Sequence, residues 1–269
     1  MNVKSSVIMI GNSNACFYTL KKILESDCII LGVIICDQHG LNSRLSKEFN
    51  IIKKHGFLTR LSQMLTSILY FLISRNSDRL YSKNFYDNFF FEKILSDLKL
   101  RSIKFLYTSH YESEESITFL KSIKPDFIIS HTPFWLSKKI REIPSDKIII
   151  GSHPGFIPNY RGAHSSFWCI YDNHPEMNGY SILLLDSGVD SGHVLGQKKM
   201  LYDRKISFRS NDLKLMRAAS SMHAQIVSNY SKYGILDSFK QENLRSNQIR
   251  RAPGIFSYCK FLLKTWNSK

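Results

Sequence analysis

Acidic side chains are scarce in this 269-residue chain: 22 Asp plus Glu stand against 37 Lys plus Arg, a formal charge of +15. An imbalance of that size suits an anionic partner such as a phosphorylated metabolite, a nucleic acid or a membrane surface. Lysine as plain surface filler accounts for it equally, so charge alone does not choose. Cysteine is sparse and scattered, at Cys16, Cys28, Cys36, Cys169 and Cys259, with no CxxC pair. That excludes a disulfide scaffold and a cysteine zinc site, and reduced thiols in a cytoplasmic setting are the simplest account. No uncharged apolar run reaches the roughly 20 residues needed to cross a bilayer, and the start of the chain has no signal-peptide layout. There is no GxGxxG or Walker pattern, no internal repeat and no long linker. With 43% hydrophobic and 22% charged residues, disorder and collagen-like fibres are excluded as well.

What is present reads as alternating strands and helices. Val7-Ile8-Met9-Ile10 is a short, wholly apolar run of the kind a buried parallel strand needs. Gly11-Asn12-Ser13-Asn14 supplies turn and capping residues, and Ala15 to Leu24 has helical spacing. Cys28 to Cys36 is a second buried strand. The segment from Phe57 to Arg75 predicts a helix with one broad apolar face, for which packing on the core is the ordinary fate. Phe85 to Leu98 reads as another helix, Ile103 to Tyr107 as a strand, and Glu112 to Ile123 as a helix opened by acids that suit its dipole. Strands follow at Phe127–Ser130 and Ile148–Ile150, and a long helix at Ser210–Tyr233. The expected fold class is α/β: a Rossmann-like, doubly wound, mostly parallel sheet with a helical insertion at about 45–100. A catalytic domain over 1–235 and a short, basic, aromatic extension over 236–269 complete the expected organisation.

Ligands in such folds bind beyond the carboxyl ends of the strands. Those ends carry three polar segments here: 11–14 (GNSN), 130–134 (SHTPF) and 151–162 (GSHPGFIPNYRG). The first serves either as a plain strand-to-helix turn or as an anion site at a helix N-terminus, with Asn12 and Ser13 as the contacts. The third holds three glycines and two prolines around His153, Tyr160 and Arg161, a loop that is expensive to order without a function. Further on, LLLDSGVDSG (183–192) places Asp186 and Asp190 in a Gly-Ser turn, either as a solvated turn or as a carboxylate that orients a histidine. His164, His174 and His193 lack zinc-helix spacing, so no metal is expected.

Taken together, GSHPGFIPNYRGAHSSFW (151–168) and GYSILLLDSGVDSGHVLGQ (179–197) resemble the folate-dependent formyltransferases. That family includes enzymes acting on methionyl-tRNA, glycinamide ribonucleotide and sugars. Its motif is Asn-x-His, a Leu-Pro-x-Tyr-Arg-Gly loop, and an Asp-x-Gly-x-Asp-Ser/Thr-Gly turn. The resemblance is close over 123–199 and loose over 3–36. It implies His153 and Asp190 as catalytic residues, with Gly151 at the position of the family asparagine. It further implies a folate-lining stretch at Phe134, Trp135 and Leu136 with Asp186, and a pocket shaped by Tyr160 and Arg161. The family asparagine helps hold the formyl oxygen. With Gly151 in its place, Ser152, His131, Asn159 or a backbone N–H takes that part, or activity is weak or lost.

The resemblance implies N10-formyltetrahydrofolate as formyl donor and a primary amine as acceptor. The inserted helices and short tail look most like the sugar N-formyltransferases, so a nucleotide-linked amino sugar for surface glycan synthesis is the expected substrate. Methionyl-tRNA, glycinamide ribonucleotide and a catalytically impaired binding protein remain as alternatives. Nucleic acid is not an expected partner, because the cations are dispersed rather than gathered in a stripe. Peripheral membrane contact through 57–75 and a homodimer are two further expectations for the apolar helix.

Overall fold

A computed structural model describes residues 3–37, 52–53, 56–86, 90–132, 136–242 and 248–266. In chain order the elements are β1 (Ser5–Gly11), α1 (Asn14–Leu24), β2 (Ile29–Cys36), α2 (Phe57–Tyr86), α3 (Phe91–Leu100), β3 (Lys104–Thr108), α4 (Glu114–Ile123), β4 (Phe127–His131), α5 (Lys138–Arg141), β5 (Ile148–His153), β6 (Arg161–Gly162), α6 (Ser165–Tyr171), β7 (Gly179–Leu184), β8 (Val194–Lys199), α7 (Phe208–Tyr233), β9 (Ile249–Arg250) and α8 (Ile255–Trp266).

Seven strands form one sheet in the order β3-β2-β1-β4-β5-β7-β8. The first five are parallel; β7 runs antiparallel to β5, and β8 antiparallel to β7. The sheet is mostly parallel, as expected, and the antiparallel pair is joined by the Gly-Ser turn that carries Asp186 and Asp190. The strand order reverses between β1 and β4, so the crevice for a ligand lies at the carboxyl ends there and at neighbouring β5.

The apolar runs are explained by two covered faces. On one face Ile8, Ile10, Val33, Ile35, Phe127 and Ile150 meet α1, α3 and α7. On the other, Val7, Met9, Ile34, Ile128 and Ile149 meet Leu120 of α4 and Ile140 of α5. Alternate residues of each strand enter alternate layers, as the two-residue period of a strand demands. The helices begin where the caps allow. Ser13, Ser113 and Ser207 each accept an N–H in the first turn of α1, α4 and α7, and α7 ends on Gly234 in the left-handed region.

A third, aromatic cluster joins the insertion and the C-terminal segment to the main body. Tyr70 of α2, Phe167 of α6, Phe208 of α7 and Phe261 of α8 pack together, with Phe167 and Phe261 stacked at 4.7 Å between centroids and Tyr70 4.9 Å from Phe208. The helix expected over 57–75 is longer, running to Tyr86; of its apolar stripe Leu69 packs against the aromatic cluster, while most of the rest does not pack on the core. Gln63, Thr66 and Tyr70 are the buried positions in that stretch, while Leu58, Leu65 and Leu72 face out.

Candidate active site

The site is built from the last residues of β5 and the two loops that follow β5 and β7. Along β5 side chains alternate, so Gly151 and His153 face one layer while Ile150 and Ser152 face the other. His153 is buried. Its Nε2 lies 2.9 Å from the Tyr160 carbonyl oxygen and 3.3 Å from the Ser165 hydroxyl, which itself donates to that carbonyl at 3.1 Å. Its Nδ1 lies 3.4 Å from Asp190 Oδ2, at ion-pair distance. Both ring nitrogens therefore face oxygen atoms.

Asp190 is held from three sides. Its backbone is in the left-handed region at φ 48°, which aspartate tolerates better than most residues. Its Oδ2 accepts the Gly162 N–H at 2.8 Å, and its carbonyl accepts from Gln241 Nε2, which also reaches the Gly192 carbonyl. The Arg161 guanidinium, 5% exposed, donates through Nε and Nη2 to the Val189 carbonyl at 2.9 and 2.7 Å. Arg161 thus clamps the Asp190 loop to the Tyr160 loop. Asp186 organises the same turn by accepting the Gly188 N–H and the Ser191 hydroxyl.

Gly155 lets this assembly close. A Cβ there would stand 2.3 Å from the Tyr160 carbonyl oxygen and 2.4 Å from His153 Nε2. At Gly151 a Cβ would stand 2.8 Å from Leu185 Cδ2, so a leucine leans over the position that holds asparagine in the family motif. Directly opposite Gly151 in the parallel register is Ser130, buried and on the same face.

Two of the residues considered as stand-ins for that asparagine are elsewhere. His131 Nδ1 and the Ser152 hydroxyl are 3.0 Å apart on the far side of the sheet from His153, where His131 Nε2 also meets Thr19 Oγ1 at 3.3 Å and Thr19 pairs with Ser220. They brace the end of β5 and cannot reach a group bound beside His153. Asn159 is exposed on the loop. Burial pushes His131 down to about 4, and burial together with His131 pushes the neighbouring His223 down to about 3. Both folded values lie below the ordinary one, so the unfolded chain binds more protons between pH 6.5 and these values. The stability they confer is complete above about 6.5 and is lost as pH falls. Denaturant midpoints are therefore expected to drop between pH 6.5 and 4, and His131→Gln to flatten that fall. An unaltered slope in the variant would contradict the assignment.

The remaining sequence candidates are placed as follows. Asn12 Nδ2 donates to Asp37 and to the Tyr107 hydroxyl at the ends of β1 to β3, and Ser13 caps α1. The turn is thus accounted for by capping and strand-end bonds. Tyr160 turns its ring into the aromatic cluster and only its carbonyl toward His153. Leu136 is buried in the core layer beside Ile140. Phe134 and Trp135 lie outside the described residues. Ser165, Gly155, Leu185 and Gln241 are parts of the site that sequence inspection passes over. Only Ser165 had a signal, a hydroxyl at the first turn of the helix after the Arg-Gly pair. A cavity of about 410 Å³ lined by Lys121, Lys124, Lys139 and Glu142 opens at the opposite, amino-terminal ends of β4 and β5. It brings no acid–base pair to His153 and is separate from this site.

A buried histidine and a loop-held carboxylate thus meet at the carboxyl rim of a seven-stranded α/β sheet. No family model matches the chain. Over 130 residues, 48% of the chain and 41% of the relative, it is 31% identical to the methionyl-tRNA formyltransferase of Finegoldia magna. Over 106 residues, 39% of the chain and 40% of the relative, it is 33% identical to the GDP-perosamine N-formyltransferase of Brucella melitensis biotype 1. These matches span about two-fifths of either relative's length. A 4-N formyltransferase from Francisella tularensis shares the fold over 97% of this chain and 87% of that one, with a TM-score of 0.56 at 13% identity. Over the matched stretches the chain is similar to formyltransferases, and it shares their fold.

Proposed function

We propose that the chain transfers a formyl group from N10-formyltetrahydrofolate to the primary amine of a nucleotide-linked amino sugar. The observation that carries the transfer is the contact of His153, at the end of β5, with Asp190 on the loop after β7, 3.4 Å apart and brought together only in the folded chain. In the reaction the amine nitrogen attacks the formyl carbon, and the carbonyl oxygen becomes an oxyanion. The C–N10 bond then breaks; the amine loses a proton and N10 gains one. His153 is the residue able to hold an N–H against the oxyanion or to carry that proton. Asp190 keeps the ring turned through Nδ1, and Nε2, which rests on the Tyr160 carbonyl, exchanges that carbonyl for the reacting group. No described side chain repeats the family amide at Gly151, so Ser130, on the same face, and backbone N–H groups are left for the oxyanion.

A sugar acceptor is supported by the Brucella relative, a GDP-perosamine N-formyltransferase. The Finegoldia match favours methionyl-tRNA as the second reading. Incubating the full chain with N10-formyltetrahydrofolate and GDP-, dTDP- or UDP-linked amino sugars, beside charged methionyl-tRNA, separates them. Formylated sugar detected by mass spectrometry supports the proposal, and formylation of the tRNA alone overturns its substrate. Asp190→Asn is expected to lower kcat by roughly 10²-fold, because the ring loses the carboxylate that orients it. An unchanged rate would remove Asp190 from the account.

A further inference from the structure

Helix α2 lies on the protein inside out. Beside the Tyr70 ring and Leu69, which pack in the aromatic cluster, its inward side is polar: Gln63 Nε2 donates to the Ala252 carbonyl, Ser62 Oγ accepts the Ile255 N–H, and the Tyr70 hydroxyl meets Ser207. Its outward side is apolar: Leu58, Leu61, Leu65, Ile68, Phe71 and Leu72 are between 40% and 79% exposed. At 3.6 residues per turn these six fall within a face of about 140°. A soluble helix turns such a stripe to the core, and a contiguous apolar patch of this kind marks a surface that something else covers.

The charges choose the occupant. Further along the same face come Arg75, Arg79 and Lys83, all exposed, with the Arg75 guanidinium 4.7 Å from the Phe71 ring centroid. The helix has a single acid, Asp78, and it is turned inward onto Tyr70, Ser207 and Ser210. α8, which packs beside α2, adds an exposed Phe256 and no acid. A second copy would bring two bodies of +15 together through their arginines, whereas an anionic lipid surface attracts those same side chains. The outward apolar residues from Leu58 to Leu72 cover about 21 Å, short of the ~30 Å hydrocarbon core; the whole helix is long and apolar enough to cross by length and composition, but its inner face is bonded to the protein. It therefore lies in the interface plane and does not span.

We propose that α2 docks this protein on an anionic membrane surface, its apolar half seated among the acyl chains and Arg75, Arg79 and Lys83 against lipid phosphates. This is independent of the transfer reaction. The test is co-sedimentation of the full chain with phosphatidylglycerol–phosphatidylcholine vesicles and with phosphatidylcholine vesicles alone. The expected result is pelleting with the anionic vesicles, weakened by salt. Binding should fall more than tenfold in Leu65→Glu/Ile68→Glu, and by roughly fivefold or more per cation in Arg75→Glu/Arg79→Glu. These positions are exposed, so circular dichroism and the thermal midpoint should not change. Absence of wild-type pelleting, equal pelleting of all three proteins, or a concentration-dependent dimer that Leu65→Glu/Ile68→Glu dissolves would overturn the proposal.

Discussion

Replacing His153 with asparagine is expected to lower kcat for formyl transfer by about 10²- to 10⁴-fold, the range associated with removing a positioned acid–base group. KM should change little, because the imidazole's largest contribution is to charge that develops only in the transition state. The fold should survive. The Tyr160 carbonyl keeps its bond from the Ser165 hydroxyl, and Asp190 keeps its bond from the Gly162 N–H. Steady-state kinetics with a denaturation curve for each protein check both halves of this expectation. A variant that is inactive only because it is unfolded would show in the second curve.

The other large effect concerns the missing amide. Gly151→Asn is expected to destabilise the chain by about 1–3 kcal/mol, the usual cost of forcing volume into a packed site. The new Cβ would stand 2.8 Å from Leu185 Cδ2 and 3.0 Å from its Cγ. Leu185 cannot simply withdraw, since its N–H is held by the Ile149 carbonyl at 2.8 Å and its side chain lies between two apolar clusters. Leu185→Ala in the same chain should relieve the clash, giving a favourable coupling of about 1 kcal/mol or more in a double-mutant cycle. The paired variant should also transfer faster than wild type, by up to about 10²-fold, because an amide on the face of His153 restores an oxyanion donor. Equal denaturant midpoints for wild type and Gly151→Asn would show that Leu185 does not set the identity of this position.

Much of this was legible in the residues, and the parts that were not share a physical cause. The runs at 7–10 and 28–36 announce buried parallel strands because both faces of the sheet are covered. The polar rim at 151–162 stands out because prolines and glycines interrupt an otherwise regular chain. Yet Tyr160 and Val189 act through carbonyl groups, which every residue has and no sequence displays. Arg161 reads as a substrate contact, and in the fold its guanidinium is bonded to the Val189 carbonyl. Leu185 is one apolar residue among several, and its meaning comes from the end of β7, where its N–H is held by the Ile149 carbonyl and its side chain leans over Gly151. The stripe on α2 was visible from its spacing, but periodicity says only that a helix has two faces, not which one the protein keeps.

The central claim is that one imidazole, held by Asp190 at the end of β5, carries a formyl transfer. Its most direct test is product formation by the purified full chain with N10-formyltetrahydrofolate and a panel of nucleotide-linked amino sugars, wild type beside His153→Asn, followed by mass spectrometry. The account predicts a formylated sugar nucleotide from wild type and a rate lower by at least about 10² in the variant. Equal rates from the two proteins would contradict it, as would a wild-type chain that formylates no amine offered.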